Sequence, residues 1–271
     1  MANNIKEMFK IFRMTLWMNI TLLRRYHSNF IFWVVYAIAN AALMLLFVPL
    51  YSASISAIGT KSIVSFILIG ASMLPLLEET VSSVAGDANF QLWSGIINYS
   101  FTTPVSRYIY FSLNNLSEVT ISLMIYSPIY LIAIIFALNY LTPIGILLSV
   151  VCFVIGFFSM LQLGLMIGAG MLLFKRVEAL EGIVILFITF LSGAFIPLQV
   201  LPSSINYAAL FVPLTSSLYL VRYYLIGSSL IAPVYLMWII TISELIVFAV
   251  MAKFIFRAAE RKAEKIGFNY I

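Results

Sequence analysis

The side chains that perform most enzymatic chemistry are scarce in these 271 residues, and those present are poorly spaced for it. There is one histidine, His27, and one cysteine, Cys152. A Ser-His-Asp relay needs its histidine beside the nucleophile. His27 instead follows Arg24 and Arg25 at the foot of the first apolar run, which reads as an interfacial setting. A structural zinc site takes Cys and His ligands in numbers that one of each cannot supply, so no metal site is expected. No Gly-Lys pair occurs anywhere, so the chain has no P-loop with which to hold ATP. An enzyme acting alone is not expected.

What remains is carboxylate chemistry. Glu118 and Glu244 fall inside long apolar runs, where an acid is expensive and usually functional. Two readings stay open for them: they line a translocation path or pair across a bundle, or each snorkels or is protonated near an interface. Glu78 and Glu79 fall toward the end of the second apolar run, where a solvated or basic partner is at hand.

These acids have meaning only through the elements that hold them. The chain is 63% hydrophobic and 9% charged, with a mean hydropathy of +1.08. A soluble domain carries about 25% charged residues, so the solvent for most of this chain is expected to be lipid. A net charge of +5 would suggest nucleic acid in a soluble protein. Here the basic residues gather at the ends of apolar runs, and no nucleic-acid partner is expected. The lone cysteine precludes an intrachain disulfide.

The expected fold is all-α: a polytopic membrane protein forming a single domain over residues 1–271. A crossing helix needs about 20 apolar residues, and six spans follow, near 30–51, 62–84, 109–138, 142–174, 182–198 and 232–256. The uncharged stretch from Gly182 to Val221 is too long for one span. It reads as the fifth helix followed by a re-entrant hairpin punctuated by Pro202 and Pro213. With six crossings, one side receives Lys6, Lys10, Arg13, Arg24, Arg25, Arg107, Lys175, Arg176, Lys253, Arg257, Arg261, Lys262 and Lys265, and the other only Lys61 and Arg222. The richer side is expected to be the cytoplasm, with both termini on it.

Residues 5–23 place Ile5, Phe9, Phe12, Leu16, Ile20 and Leu23 at helical spacing, with Lys6, Lys10 and Arg13 on another face. This predicts an amphipathic helix in the cytoplasmic interface, anchored by Trp17. Residues 88–106 lack charge but hold too many amides and hydroxyls to lie in hydrocarbon, and predict a short cytoplasmic amphipathic helix and a turn. Gly164 and Gly168, followed by Gly170, give the fourth span a small-residue face for close packing.

Two segments carry a family resemblance. Gly95 to Arg107, GIINYSFTTPVSR, resembles the stretch G-T-L-E-x-L-L-x-T-P-V-S-R between the second and third spans of type-2 permeases of ATP-binding cassette (ABC) exporters. It matches at Gly95 and from Thr103 to Arg107, and departs at Asn98, where the family often has an acid, and at Ser100 and Phe101. Ser192 to Arg222 is similar to the family's run after the fifth span, with Ser192-Gly193, an aromatic, Pro197, Leu201-Pro202, Pro213-Leu214-Thr215 and a closing Arg222.

The resemblance implies an exporter permease residing in the plasma membrane; a path lined mostly by Phe, Tyr, Met and Ser would suit lipid-like, drug-like or other amphipathic cargo. It implies a separate ATPase subunit that binds ATP and Mg, and a second permease copy or sister. The ATPase would seat on a coupling segment with Phe90, Leu92, Trp93, Ile96 and Ile97 as its apolar face and Arg107 beside it. Lys175, Arg176 and Glu178 would form a second cytoplasmic contact, and the hairpin with Pro197, Pro202, Pro213 and Arg222 would cap the outer side. The competing expectation is a secondary transporter or channel working without ATP. That class predicts an internal repeat, and none is visible between residues 1–135 and 136–271.

Overall fold

The computed structural model describes residues 5–49, 58–96, 106–174 and 178–266. Ile97, Lys175 and Arg176 lie outside the described residues. Among those described, every regular element is helical. The helices are α1 (Ile5–Arg25), α2 (His27–Leu45), α3 (Ile63–Trp93), α4 (Arg107–Ala137), α5 (Pro143–Phe174), α6 (Glu178–Leu191), α7 (Ser203–Ala209), α8 (Thr215–Ile226) and α9 (Val234–Ile266).

Among the described residues, five helices are long and apolar enough to cross a membrane: α2, α3, α4 with its 3-10 extension to Tyr140, α5 and α9. At 1.5 Å per residue, α3, α4, α5 and α9 exceed the hydrocarbon thickness of about 30 Å. α3 is the hub. Most of its side chains between Ser65 and Leu77 are buried, because α2, α4, α5 and α8 all pack around it. The outward faces of α2, α4, α5 and α9 expose Phe32, Ile38, Ile135, Leu147 and Phe254, as suits helices solvated by lipid. This architecture fits a multi-pass membrane protein.

Close packing of α3 on α5 depends on glycine. A Cβ at Gly164 would lie 2.8 Å from the Thr80 carbonyl oxygen, and one at Gly168 would lie 2.7 Å from Val84 Cγ1. The matching order of these contacts makes the two helices parallel. α4 runs antiparallel to α3, with Asn115 donating to the Thr80 carbonyl at 2.8 Å and Asn114 to Asp87. Arg107 at the start of α4 pairs with Glu260 near the end of α9, and Tyr108 donates to Gln162 of α5 at 2.7 Å. The C-terminal ends of α3, α5 and α9 and the start of α4 therefore share one end of the bundle. At the other end, Ser229 donates through its backbone to Ile58 at 3.1 Å, and the Lys61 backbone to Ile226 at 3.4 Å.

Two boundaries differ from the sequence expectation. The second apolar run does not stop near residue 84: α3 continues unbroken to Trp93. Residues 88–93 form its last turns rather than a separate helix, since no breaker intervenes before Gly95, whose φ of 72° is left-handed. Conversely, the fifth helix was expected to reach about Leu198, yet α6 ends at Leu191. Gly193, also at φ 72°, terminates it. The 14 residues of α6 are too few to cross alone.

Beyond α6 the chain doubles back. Gln199 reaches the Ser229 carbonyl at 2.9 Å, on the end that holds Ile58 and Lys61. The chain then returns through α7, so that Thr215 Oγ1 donates to the Leu191 carbonyl at 3.0 Å. α8 leads outward again to Ile226.

Candidate functional site

The densest collection of polar side chains lies between α3 and α4, and helical periodicity puts it there. Glu79, Ser83 and Asp87 recur every four residues on α3, as do Asn114, Glu118 and Ser122 on α4, so each set shares a face. Asn114 Nδ2 donates to Asp87 and, at 3.1 Å, to Glu118. Asn115 spans Thr80 and Ser83. Asn19 of α1 donates to Ser117 of α4 at 2.9 Å.

A cavity of about 430 Å³ opens beside this cluster, bounded by α1, α2, α3 and α4. Glu79 and Glu118 supply its acidic wall, Tyr26, Trp33 and Tyr126 its rings, and Asn19 and Asn29 its amides. Tyr126 also borders a second, smaller space of about 150 Å³ between α3, α4 and α5, whose lining is almost wholly apolar. Pro75 and Pro128 sit inside α3 and α4 at this depth, and each removes one intrahelical hydrogen bond.

Glu118 thus stands at a cavity wall. Glu244 stands elsewhere. It lies on α9, is 7% exposed, and accepts a 2.6 Å hydrogen bond from Ser216 of α8. The two acids are not brought together. Glu78 accepts from Thr189 of α6. Glu78 and Glu79 lie at the middle of α3 rather than near its end, because the helix runs on to Trp93.

Arg222, assigned from the sequence to the same side as Lys61, is fully buried. Its Nε donates to the Phe66 carbonyl at 3.1 Å, Nη1 to Gly193 at 2.7 Å and Nη2 to Ala194 at 3.2 Å. Its guanidinium lies 3.6 Å from the Phe66 ring centroid. Of the hairpin prolines, Pro197 precedes a 3-10 turn, Pro202 caps α7, and Pro213 is buried in the turn before α8.

At the Arg107–Glu260 end, α3 finishes with Phe90 and Trp93 exposed, at 66% and 71%, and Ile96 beyond them also exposed. Leu92 points the other way and is buried in the bundle. Glu178 begins α6.

Sequence reasoning singled out Glu118 but missed Glu79, Asp87, Asn114 and Asn115 as its neighbours. The four-residue spacing on two adjacent runs was the available signal, and ending the second run near residue 84 cut Asp87 off from it. No protein-family model matches this chain, and no curated protein matches it closely enough to count as a relative.

Proposed function

We propose that this chain is the permease subunit of an ABC transporter of the type-2 exporter class, moving an amphipathic substrate with ATP hydrolysed by a separate ATPase. In this reading the chain is one permease domain with six crossings, α6 and the turn after Gly193 together making the fifth. α1 lies in the cytoplasmic interface, residues 199–221 form an outer re-entrant hairpin, and both ends of the chain are cytoplasmic in the plasma membrane. The working unit pairs it with a second permease and two ATPases, which supply the ATP and Mg sites. Nucleotide-driven closure of the ATPases would then favour one arrangement of the two bundles over another.

The observation that carries this reading is the exposed pair Phe90 and Trp93, followed by Ile96, at the end of the bundle that holds Arg107 and Glu260. Arg261, Lys262 and Lys265 close α9 at the same end, so this end favours water or headgroups over hydrocarbon. Clustered large apolar side chains in such a place favour a protein partner, and they directly precede the T-P-V-S-R match.

The test is affinity purification of the full chain from its native membranes. A stoichiometric ATPase carrying a Walker A motif is expected to co-purify. Phe90→Asp with Trp93→Asp should cut its recovery about tenfold or more while the permease stays inserted and monodisperse. Absence of any ATPase, or recovery unchanged by the double substitution, contradicts the reading.

A further inference from the structure

The two adjoining cavities differ sharply in chemistry, and that difference specifies a ligand. The larger one combines two carboxyls, Glu79 and Glu118, with the rings of Tyr26, Trp33 and Tyr126. Among the described residues no lysine, arginine or histidine pairs with either carboxyl, the one ion pair there being Arg107–Glu260. Asp87, held to Glu118 through Asn114, adds a third acid behind the wall. An acidic wall without a base, in an apolar bundle, either keeps its protons or draws a counter-charge from outside the chain.

A small metal ion is a poor candidate for that counter-charge. Among the described residues no three acidic, histidine or cysteine side chains converge closely enough to ligate one. Aromatic rings and carboxyls lining one cavity suit a diffuse organic cation instead, since ring quadrupoles attract ammonium groups and tolerate their methyls. The smaller cavity, which shares Tyr126 with the larger one and is lined also by Met73, Leu76 and Phe153, is almost wholly apolar. Polar head site and apolar tail site thus share one wall.

We propose that the paired cavities bind a cationic amphiphile, with its ammonium head between Glu79 and Glu118 and its alkyl tail running past Tyr126 into the space between α3, α4 and α5. The site deepens the transport reading by naming its substrate class, and as a transport site it rests on that reading. Binding itself needs only this chain.

The experiment uses the full chain in lipid nanodiscs without any ATPase, so its failure is separable from failure of the permease assignment. Dodecyltrimethylammonium is titrated while tryptophan emission is followed, with Trp33→Phe identifying the ring that reports. Saturable binding is expected for this probe. Dodecyl maltoside, with the same tail and a neutral head, should bind about tenfold more weakly or worse, and so should tetramethylammonium, which has no tail. Glu79→Gln and Glu118→Gln should each weaken the cationic probe by about tenfold and leave the maltoside unchanged. Glu118→Asp should recover part of the loss. Ser122→Trp, which fills the cavity without replacing an acid, should abolish binding of the cationic probe. Equal affinity for the cationic and neutral probes, or full affinity in the Glu79→Gln, Glu118→Gln double variant, overturns the proposal, as does the absence of saturable binding to the unaltered chain.

Discussion

Arg222 shows how one fully buried charge can organise a region. Its guanidinium donates to the backbone carbonyls of Phe66, Gly193 and Ala194. Gly193 and Ala194 belong to the stretch just after α6 where helical hydrogen bonding stops, so their carbonyls lack helical partners and would be costly to bury alone. The arginine supplies those partners and stacks on Phe66, tying the break after α6 to α3. Arg222→Met keeps much of the volume but removes every donor. We expect it to cost about 3 kcal/mol or more, since it orphans buried acceptors, and to lower the thermal midpoint in detergent by several degrees. Arg222→Lys should fall between, because one ammonium cannot reproduce a planar fork. An unchanged midpoint for Arg222→Met would show that the carbonyls find other donors.

At the scale of elements, the α3–α5 contact is set by residues with no side chain. Gly164 and Gly168 let the helix backbones approach until a Cβ would collide with Thr80, Val81 or Val84. Gly164→Leu must push the helices apart against a carbonyl oxygen and a Cα, neither of which can rotate away. The expected loss is about 1–3 kcal/mol, seen as a lower melting point, whereas Gly182→Leu, with open space around it, should be neutral. Equal effects from the two would remove the packing argument. The small-residue face around Gly164 was legible in the sequence, as were the cores of α2, α3, α4, α5 and α9, because long uncharged runs leave few alternatives. The ends of α3 and α6 were not. Polarity at residues 88–93 suggested an exit from the bilayer, but Ala85, Ala88 and Leu92 still found a buried face. Nothing local shows that Gly193 takes a left-handed φ until Tyr219 is seen packed against it. The acidic cavity was half legible: Glu118 stood out, while its partners required knowing that α3 and α4 are antiparallel and in which register.

At the scale of the molecule, the structure gathers polar chemistry at one end and along one side. Arg107, Glu260 and the exposed pair Phe90 and Trp93 share an end, and Lys61 lies at the other, its backbone amide donating to Ile226. For a permease, that asymmetry must be a topology, with every partner-facing surface in the cytoplasm and an even number of crossings between the ends of the chain. Substituted-cysteine labelling in intact cells tests this most directly. Cys152 is buried, and Cys152→Ser gives a silent background on which exposed Glu7, Lys61 and Lys265 are each replaced by cysteine in turn. A membrane-impermeant maleimide should modify the Lys61→Cys protein from outside, and the Glu7→Cys and Lys265→Cys proteins only after permeabilisation. Glu7→Cys and Lys265→Cys reacting from opposite sides would contradict the account, because an odd number of crossings would place one of the two basic ends outside.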